Sequence, residues 1–259
     1  MRVTVSGALG RMGTLTRETV KNAAGLEYAG GFARTRVPRE AIDDNLERAI
    51  AEQKPDVLVD FTVRPISQNA ARAALEAVAS PIVGSSEWND EERAELARLC
   101  EKHRLPGLYV PNFAIGAVLM MRFAEQAARF FPTIEIVELH RDDKRDKPSG
   151  TAAATAARVR SAGELADVPI HSVRLRGLVS HQEVLCGNTG ELLTIRHDSL
   201  SAQSFAEGIL LAIRNVGRLE PGLHVGLDSI LEASTSSAAV RQAHDDKRGA
   251  RARHGETAP

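Results

Sequence analysis

Apolar and polar positions along the first 113 residues form short strand patterns separated by helical patterns. Arg2–Ser6 alternates apolar and polar side chains, as a strand does, and a helical segment follows to about Asn22. Further predicted elements are strands at Leu26–Phe32, Val57–Phe61, Ile82–Gly84 and Gly107–Val110, and helices at Asn69–Val78 and Asp90–Lys102. Strands that alternate with helices predict an α/β fold with a Rossmann-like parallel sheet.

The pattern changes after Asn112, where a long helix with apolar periodicity is predicted at Ala114–Phe131. Later predicted elements are strands at Thr133–His140, Ile170–Val179, Glu183–Cys186 and Glu191–His197, helices from Thr151 and over Ser201–Arg218, and a packed segment at Gly222–Leu231. Several strands in succession favour a second, α+β domain with an antiparallel or mixed sheet. Residues 234–259 contain almost no large apolar side chains, so we predict a disordered tail there.

Composition narrows the classes of function. The 259 residues carry a formal net charge of −1, which excludes a protein that binds nucleic acid mainly through excess positive charge. No apolar run approaches the ~20 residues that span a bilayer, and the N-terminus enters a strand pattern at once instead of a signal peptide. Two cysteines, Cys100 and Cys186, fit a reduced cytoplasmic protein, and the spacing of Cys and His predicts no metal site.

A glycine-rich turn follows the first predicted strand. Gly7, Gly10 and Gly13 lie between this strand and the helix after it. A dinucleotide pyrophosphate needs close backbone approach and the free N–H groups of a helix start, and both are expected here. The spacing differs from Gly-x-Gly-x-x-Gly, and a tight turn with no ligand is the alternative. The position in an alternating α/β half favours the cofactor site.

The end of the second predicted strand bears on the choice of cofactor. Enzymes that use NAD carry an acidic residue here to bind the ribose 2′-hydroxyl. Residues 30–36 contain no carboxylate, whereas Arg34 and Arg36 are suited to a 2′-phosphate. We therefore predict that NADPH is preferred and that NADH is possible. The alternative is that both arginines belong to a solvated loop.

A basic loop ends at the start of a predicted helix. Residues 140–151 contain a histidine and four cations, and they close on Ser149, Gly150 and Thr151. Ser149 is a candidate N-cap, and the N–H groups after it are suited to an anion. Arg141 is suited to bind a carboxylate, and His140 or Lys144 to supply a proton. Because three acids nearly cancel the four cations, an ordinary charged surface loop is the alternative.

Several motifs resemble the dihydrodipicolinate reductase family. Residues 138–152 are similar to its signature, Glu-x-His-His-x-x-Lys-x-Asp-x-Pro-Ser-Gly-Thr-Ala, and the turn Val5–Gly13 is similar to its cofactor turn. Other similar segments, in family order over about residues 1–232, are 60–62, 111–116, 173–175, 177–179, 181–184 and 193–199.

The resemblance implies an NAD(P)H-dependent reductase of lysine and diaminopimelate biosynthesis that acts on a small cyclic dicarboxylate. It implies that His140 is the proton donor, that Lys144 binds the substrate and assists, and that Ser149, Gly150 and Thr151 hold a carboxylate. The residues that it implies for the nucleotide site are Gly7, Ala8, Leu9, Gly10, Arg11, Met12, Phe61, Thr62, Gly84, Ser85, Ser86, Val110, Pro111, Asn112 and Phe113.

The resemblance also implies a homotetramer assembled through the second domain's sheet, with the last helical segment returning to the nucleotide domain. We therefore expect a dinucleotide-binding domain over residues 1–113 and 212–233, and a substrate-binding and oligomerisation domain over residues 114–211. Three positions depart from the family: Arg141 replaces the second histidine, Glu87 replaces a glycine, and Ala33 replaces the acid after the second strand.

Two other functions are compatible with this organisation. One is another two-domain NAD(P) dehydrogenase, such as an amino-acid dehydrogenase. The other is an NADP-binding sensor that has lost catalysis. Retention of both His140 and Lys144 favours an active enzyme over the sensor.

Overall fold

The computed structural model describes residues 1–85 and 88–232, so the expectations for Ser86, Glu87 and the tail at 234–259 lie outside it. Its strands are β1 (Arg2–Ser6), β2 (Glu27–Phe32), β3 (Ile42–Asp43), β4 (Val57–Asp60), β5 (Ser80–Val83), β6 (Pro106–Tyr109), β7 (Thr133–His140), β8 (Ile170–Arg174), β9 (Ser180–Asn188), β10 (Glu191–Ser199) and β11 (Gly222–Val225). Its α-helices are α1 (Arg11–Lys21), α2 (Leu46–Gln53), α3 (Ile66–Glu76), α4 (Asp90–His103), α5 (Ile115–Ala127), α6 (Gly150–Gly163) and α7 (Ala206–Val216), and another helical segment begins at Asp228.

Seven strands form a parallel sheet in the order β3-β2-β1-β4-β5-β6-β11. The first six have the strand order of a dinucleotide-binding fold, and β11 adds an edge strand. The order reverses between β1 and β4, whose residues Val5 and Val59 are register partners. In such sheets a ligand binds outside the carboxyl ends of the strands at this reversal. The predicted Rossmann-like architecture is confirmed.

Four strands form the second sheet in the order β10-β9-β7-β8. Strand β7 pairs parallel with β8 and antiparallel with β9, so the sheet is mixed, as predicted. Alternate residues of β7 are buried, beginning with Ile134 and Ile136 and continuing through Glu138 and His140. Because the side-chain period of a strand is two residues, this register turns both polar side chains toward the interior.

One apolar core runs through both layers. It includes Val3 and Ile82 of the parallel sheet, Ile136 of the mixed sheet, and Val118 and Ile213 of the helices α5 and α7. These side chains are almost fully buried. The two sheets are therefore held in fixed relation by shared packing as well as by the chain that connects them.

Some sequence-based bounds were wrong, each for a local reason. Ile42–Asp43 and Leu46–Gln53 were missed, since the strand is two residues long and the helix only eight. The strand predicted at Ile170–Val179 ends at Arg174, ahead of a turn in which Gly177 has a φ of 86°. The helix predicted at Ser201–Arg218 is a 3₁₀ turn, Ala202–Phe205, followed by α7. Within residues 1–85 and 88–232 we find no helix long and apolar enough to cross a membrane.

Helix α7 approaches the loop after β6 so closely that one position accepts only glycine. A Cβ added to Gly208 would overlap the carbonyl oxygen of Phe113 and lie 2.8 Å from its carbonyl carbon. Gly217, at the other end of the same helix, has a φ of −68°, and a Cβ there would meet nothing within 4 Å. The two glycines therefore provide a matched test of close packing.

We expect Gly208→Ala to lower the free energy of unfolding by about 1–3 kcal/mol, because the helix must move away from Phe113. Gly217→Ala should stay within about 1 kcal/mol of the parent protein. Thermal unfolding of both variants without added cofactor measures the difference. Equal midpoints for the two variants would show that the close approach of α7 does not limit stability.

Candidate active site

The glycine turn connects β1 to α1 at the strand-order reversal. Gly7 has a φ of 80°, a left-handed conformation that favours glycine. The N–H groups of Gly7 and Ala8 donate to the carbonyl oxygen of Phe32 at 2.9 and 3.0 Å, which fixes the turn against the end of β2. A Cβ on Gly13 would overlap the carbonyl oxygen of Gly7 and lie 2.9 Å from Cα of Ala8. The third glycine thus lets the helix begin directly beneath the turn.

The start of α1 is suited to an anionic ligand. Its N-cap, Gly10, has no side chain to satisfy the first N–H groups, and its first turn contains no acidic residue. The N–H groups of Arg11 and Met12 and the positive end of the helix dipole are therefore available to a pyrophosphate. Leu9 is exposed beside them. These residues fit the phosphates of a dinucleotide.

Three predicted cofactor residues pack together at the carboxyl ends of β4, β5 and β6. The ring centroids of Phe61 and Phe113 are 5.5 Å apart. A Cβ on Gly84 would lie 2.6 Å from Cδ1 of Phe61 and 3.0 Å from Cε2 of Phe113, so glycine is needed between the rings. The other predicted residues at these strand ends are Ser85, Val110 and Pro111. Ser85 is buried, and Val110 donates its N–H to the carbonyl oxygen of Val83 at 2.8 Å.

A buried carboxylate that we had not assigned to the site supports the loop after β4. Asp60 is the last residue of that strand and is fully buried. The hydroxyl of Thr62 donates to Oδ1 of Asp60 at 2.7 Å. Burial raises the pKa of Asp60, and hydrogen bonds from Ser67 and Thr62 oppose the rise. A carboxylate that ends an apolar strand is the sequence signal that could have identified it.

The arginines after β2 differ in their surroundings. Arg36 lies 3.8 Å from Oδ2 of Asp43, a buried carboxylate that also accepts two hydrogen bonds from Arg48, at 2.8 and 2.6 Å. Arg17, which we had not singled out, is buried and pairs with Glu40. Arg34 is exposed and forms no ion pair with any residue in 1–85 or 88–232. Its charge is thus available to a ligand.

His140 ends β7 and lies against a carboxylate, a guanidinium and a hydroxyl. Its Nδ1 is in ion-pair contact with Oε2 of Glu138, and its Nε2 is 3.0 Å from Oγ of Ser180. Arg174 donates to Oε1 of Glu138 at 2.7 Å. Ser180 and Arg174 are the register partners of His140 on the two neighbouring strands, so pairing of the three strands assembles this group. Glu138 and Arg174 were not among our predicted site residues.

The environment of His140 changes its acidity. Burial lowers the pKa of His140, and Lys144 and Arg174 lower it further, while Glu138 opposes them. Burial also raises the pKa of Glu138, but hydrogen bonds from Arg174 and Ser172 outweigh this and hold it below its ordinary value. Because its pKa is lowered, the imidazolium of His140 can release a proton readily, and the ionised Glu138 beside it stabilises the protonated ring.

The basic loop, residues 141–149, is held to the mixed sheet by the side chain of Arg174. Arg174 donates to the carbonyl oxygens of Lys144 and Asp146 at 3.3 and 2.7 Å. The ammonium of Lys144 lies 2.8 Å from both carboxylate oxygens of Asp146, and this hydrogen bond lowers the pKa of Asp146. Nε of Arg141 lies 2.7 Å from Oδ1 of Asp143. Both cations therefore have internal partners that an anionic ligand must compete with.

The start of α6 connects the two halves of the candidate site. Ser149 caps the helix, since its Oγ accepts the N–H of Ala152 at 3.2 Å. A Cβ on Gly150 would meet nothing within 4 Å, which leaves open space over the first turn. Nδ2 of Asn112 donates to Oγ1 of Thr151 at 3.2 Å. A residue predicted for the nucleotide thus contacts one predicted for the substrate.

Residues 1–85 and 88–232 contain no group of three or more His, Cys, Asp or Glu side chains placed to hold a metal ion. The groups that can act chemically are the His140 cluster, the basic loop, the helix starts and the glycine turn.

Family models match nearly all of the part that we describe. The model described as "Dihydrodipicolinate reductase, N-terminus" matches residues 1–113, and "Dihydrodipicolinate reductase, C-terminus" matches residues 116–231. A 4-hydroxy-tetrahydrodipicolinate reductase from Moorella thermoacetica is 40% identical over 263 residues, covering 90% of this chain and 98% of the relative. One from Symbiobacterium thermophilum is 40% identical over 235 residues, covering 84% and 92%.

Solved structures agree with these matches. Dipicolinate-bound dihydrodipicolinate reductase from Paenisporosarcina sp. TG-14 superposes with a TM-score of 0.79 at 34% identity, covering 89% of this chain and 99% of that one. Apo scyllo-inositol dehydrogenase from Lactobacillus casei has a TM-score of 0.62 at 11% identity, covering 86% and 90%, and shares the fold alone. The family models, the relatives and the first of these structures agree, and the chain belongs to the dihydrodipicolinate reductase family.

Proposed function

We propose that this chain reduces its substrate with NADPH in preference to NADH and that His140 donates the proton. As a member of its family, the chain is an NAD(P)H-dependent oxidoreductase that converts 4-hydroxy-tetrahydrodipicolinate to tetrahydrodipicolinate in lysine and diaminopimelate biosynthesis. The reaction takes up one hydride and one proton and releases one water. The observation that carries the proposal is the His140 cluster beside the Lys144 loop and the start of α6.

The residues of the nucleotide half fit a dinucleotide. The uncapped start of α1 would hold the pyrophosphate through the N–H groups of Arg11 and Met12. Phe61, Gly84 and Phe113 form the apolar support, and Asn112 links it to Thr151. When bound, NAD(P)H supplies the hydride. Two features support the preference for NADPH: Arg34 is exposed and has no ion-pair partner among residues 1–85 and 88–232, and Ala33 stands where an acid would bind the ribose of NADH.

The substrate half offers charge for two carboxylates. Ser149, Gly150 and Thr151 at the start of α6 would bind one carboxylate through N–H and hydroxyl groups. Lys144 and Arg141 are cationic groups for the substrate, once it displaces Asp146 and Asp143. His140 would protonate the ring carbon next to the one that receives the hydride.

We further propose that four copies assemble through the second sheet. Its face opposite α5 and α6 carries the apolar side chains Val137, Leu139, Leu185 and Leu192, and Leu192 is 68% exposed. Such a face is suited to pack against a second copy.

We also propose that the chain has two domains. The dinucleotide-binding domain comprises residues 1–113 and 212–233, and the substrate-binding and oligomerisation domain comprises residues 114–211. The family matches, which divide between residues 113 and 116, support the first boundary, and the pairing of β11 with β6 supports the return of the last segment to the nucleotide domain. We propose a location in the cytoplasm.

Neither alternative function has a specific observation in its favour. An amino-acid dehydrogenase shares the architecture, and an NADP-binding sensor would need no proton donor. Pyridine-2,6-dicarboxylate, a planar analogue of the product, should bind this chain competitively with the substrate. Failure of the analogue to bind would favour either alternative.

We expect His140→Gln to lower kcat by about 10²–10⁴-fold, because a general acid contributes on that order. Cofactor affinity, measured by fluorescence titration with NADPH, should change by less than about twofold, since the nucleotide half is intact. His103→Gln is the matched control: this histidine is the last residue of α4, which packs on the parallel sheet. A kcat for His140→Gln that equals the control would remove His140 from the chemistry.

We expect Arg34→Ala to raise the KM for NADPH by about tenfold or more, because a charged hydrogen bond to phosphate contributes about 1.5–3 kcal/mol. The KM for NADH should stay nearly constant, which makes NADH the internal control. Arg36→Ala should have a smaller effect, since Asp43 already engages Arg36. Equal changes for the two cofactors would contradict recognition of the 2′-phosphate by Arg34.

We expect Leu192→Asp to shift the mass measured by light scattering from a tetramer toward smaller species, because a carboxylate would be buried at the proposed interface. Val78→Asp is the control, since Val78 is 73% exposed on the parallel-sheet layer and lies outside the proposed interface. A parent protein that is monomeric at micromolar concentration, or a Leu192 variant that remains tetrameric, would refute assembly through this face.

A further inference from the structure

Glu138 is a buried carboxylate that accepts hydrogen bonds from Arg174 and Ser172 and contacts His140. Oε1 accepts a hydrogen bond from Arg174 at 2.7 Å, and Oε2 contacts Nδ1 of His140. Oε2 and Nδ1 are both buried and have no other hydrogen-bond partner in the part of the chain that the structure describes. The contact between Oε2 of Glu138 and Nδ1 of His140 is therefore the polar interaction that compensates the burial of both atoms.

Arg174 fixes the position of the Glu138 carboxylate. Its side chain is 6% exposed and donates to three backbone carbonyl oxygens, those of Val173, Lys144 and Asp146, as well as to Glu138. A guanidinium with this many fixed acceptors cannot move without breaking several hydrogen bonds at once. Glu138 is consequently held in one place by a group that also positions the loop of Lys144.

Stability alone does not account for this pair. Removing two charges from water is so costly that apolar residues of similar volume are often as stabilising as a buried ion pair. The inner face of β7 carries such apolar residues two and four positions before Glu138, at Ile136 and Ile134. The change from isoleucine to glutamate occurs where the strand reaches His140, which indicates a role connected with the imidazole.

We propose that Glu138 is a positioning residue that keeps a proton on Nδ1 of His140, so that Nε2 is the atom that transfers a proton. The proposal rests on the proposed role of His140. In the transfer, the Nε2–H bond of the imidazolium breaks, the proton goes to the substrate carbon, and a neutral ring with a proton on Nδ1 remains. Solvent then returns a proton to Nε2, and Glu138 stays ionised throughout.

The charged groups that face His140 determine the pH dependence. They are Glu138 on its own strand, Arg174 on β8 and Lys144 in the loop, while Ser180 on β9 is uncharged. Burial and the two cations lower the pKa of His140, and Glu138 raises it. Without the carboxylate this pKa must fall further. Because a proton donor is active only while protonated, the decline of kcat with rising pH should then begin at lower pH.

The decisive experiment compares pH profiles of kcat for the parent protein and Glu138→Gln. We expect the declining limb to move to lower pH by about one unit or more, the size of a nearby charge's effect. At a pH between the declining limbs of the parent protein and of Glu138→Gln, kcat of the variant should be about tenfold below that of the parent. Its KM values for substrate and NADPH should stay within about twofold of the parent values. Glu138→Asp, which keeps a carboxylate, should restore part of the shift. Superimposable profiles would overturn the proposal.

Glu135→Gln is the control for the substitution itself. Glu135 lies on the same strand and also pairs with a histidine, His171, but both side chains are more than half exposed in the single chain. Because Glu135 is the register partner of Leu185 on the face proposed for assembly, the mass of this variant is compared with that of the parent protein by light scattering. Its pH profile should match that of the parent protein. An equal shift in Glu135→Gln would show that any loss of charge from β7 suffices, and this would also overturn the proposal.

NMR of isotope-labelled imidazole nitrogens provides a readout that needs no turnover. In the parent protein we expect neutral His140 to carry its proton on Nδ1, and a proton on Nε2 instead would overturn the proposal even if Glu138→Gln did not fold. Failure of the parent protein to reduce 4-hydroxy-tetrahydrodipicolinate would refute the proposed function, while this measurement would still decide the state of the ring. The two failures are thus distinguishable.

Discussion

The pairing of β7 with β8 and β9 determines where the polar chemistry of the second layer lies. Ile134 and Ile136 enter the core, and the same alternation brings Glu138 and His140 inward at the end of the strand. Arg174 and Ser180 meet His140 because they are its partners in the two ladders. A shift of the pairing by one residue would turn all four side chains of β7 to the opposite face and separate Glu138 and His140 from Arg174 and Ser180.

Hydride transfer needs two binding regions held together, and the shared core does this without a flexible connection. Helix α5 begins directly after the loop that contains Asn112 and packs against the mixed sheet through residues such as Val118. The hydrogen bond from Asn112 to Thr151 then joins the end of β6 to the start of α6. The glycine turn and His140 therefore belong to different layers of one packed unit.

Much of this arrangement could be predicted from the sequence, for physical reasons that differ between residues. The glycines of the turn, the N-cap Ser149 and the alternation of β7 act over a few neighbouring residues, so their patterns are visible in one segment. Arg174 could not be assigned in this way, because its partners are about 30 residues away and are chosen by strand pairing. Helix α2 was missed because it is only eight residues long, so Leu46, Ala49 and Ile50 are too few to show a clear helical period.

The late position of β11 in the sequence affects how the parallel sheet folds during synthesis. Strand β11 pairs with β6, and the N–H groups of Gly222 and Gly226 donate to the carbonyl oxygens of Leu105 and Tyr109, more than 110 residues earlier in the chain. On the ribosome, the edge of β6 stays unpaired until the whole second sheet has been synthesised. An unpaired edge strand is a template for wrong pairing. The ribosome-bound chain is therefore exposed to misassembly while residues 110–221 are synthesised, and nonsense or stalled products that lack β11 retain that open edge.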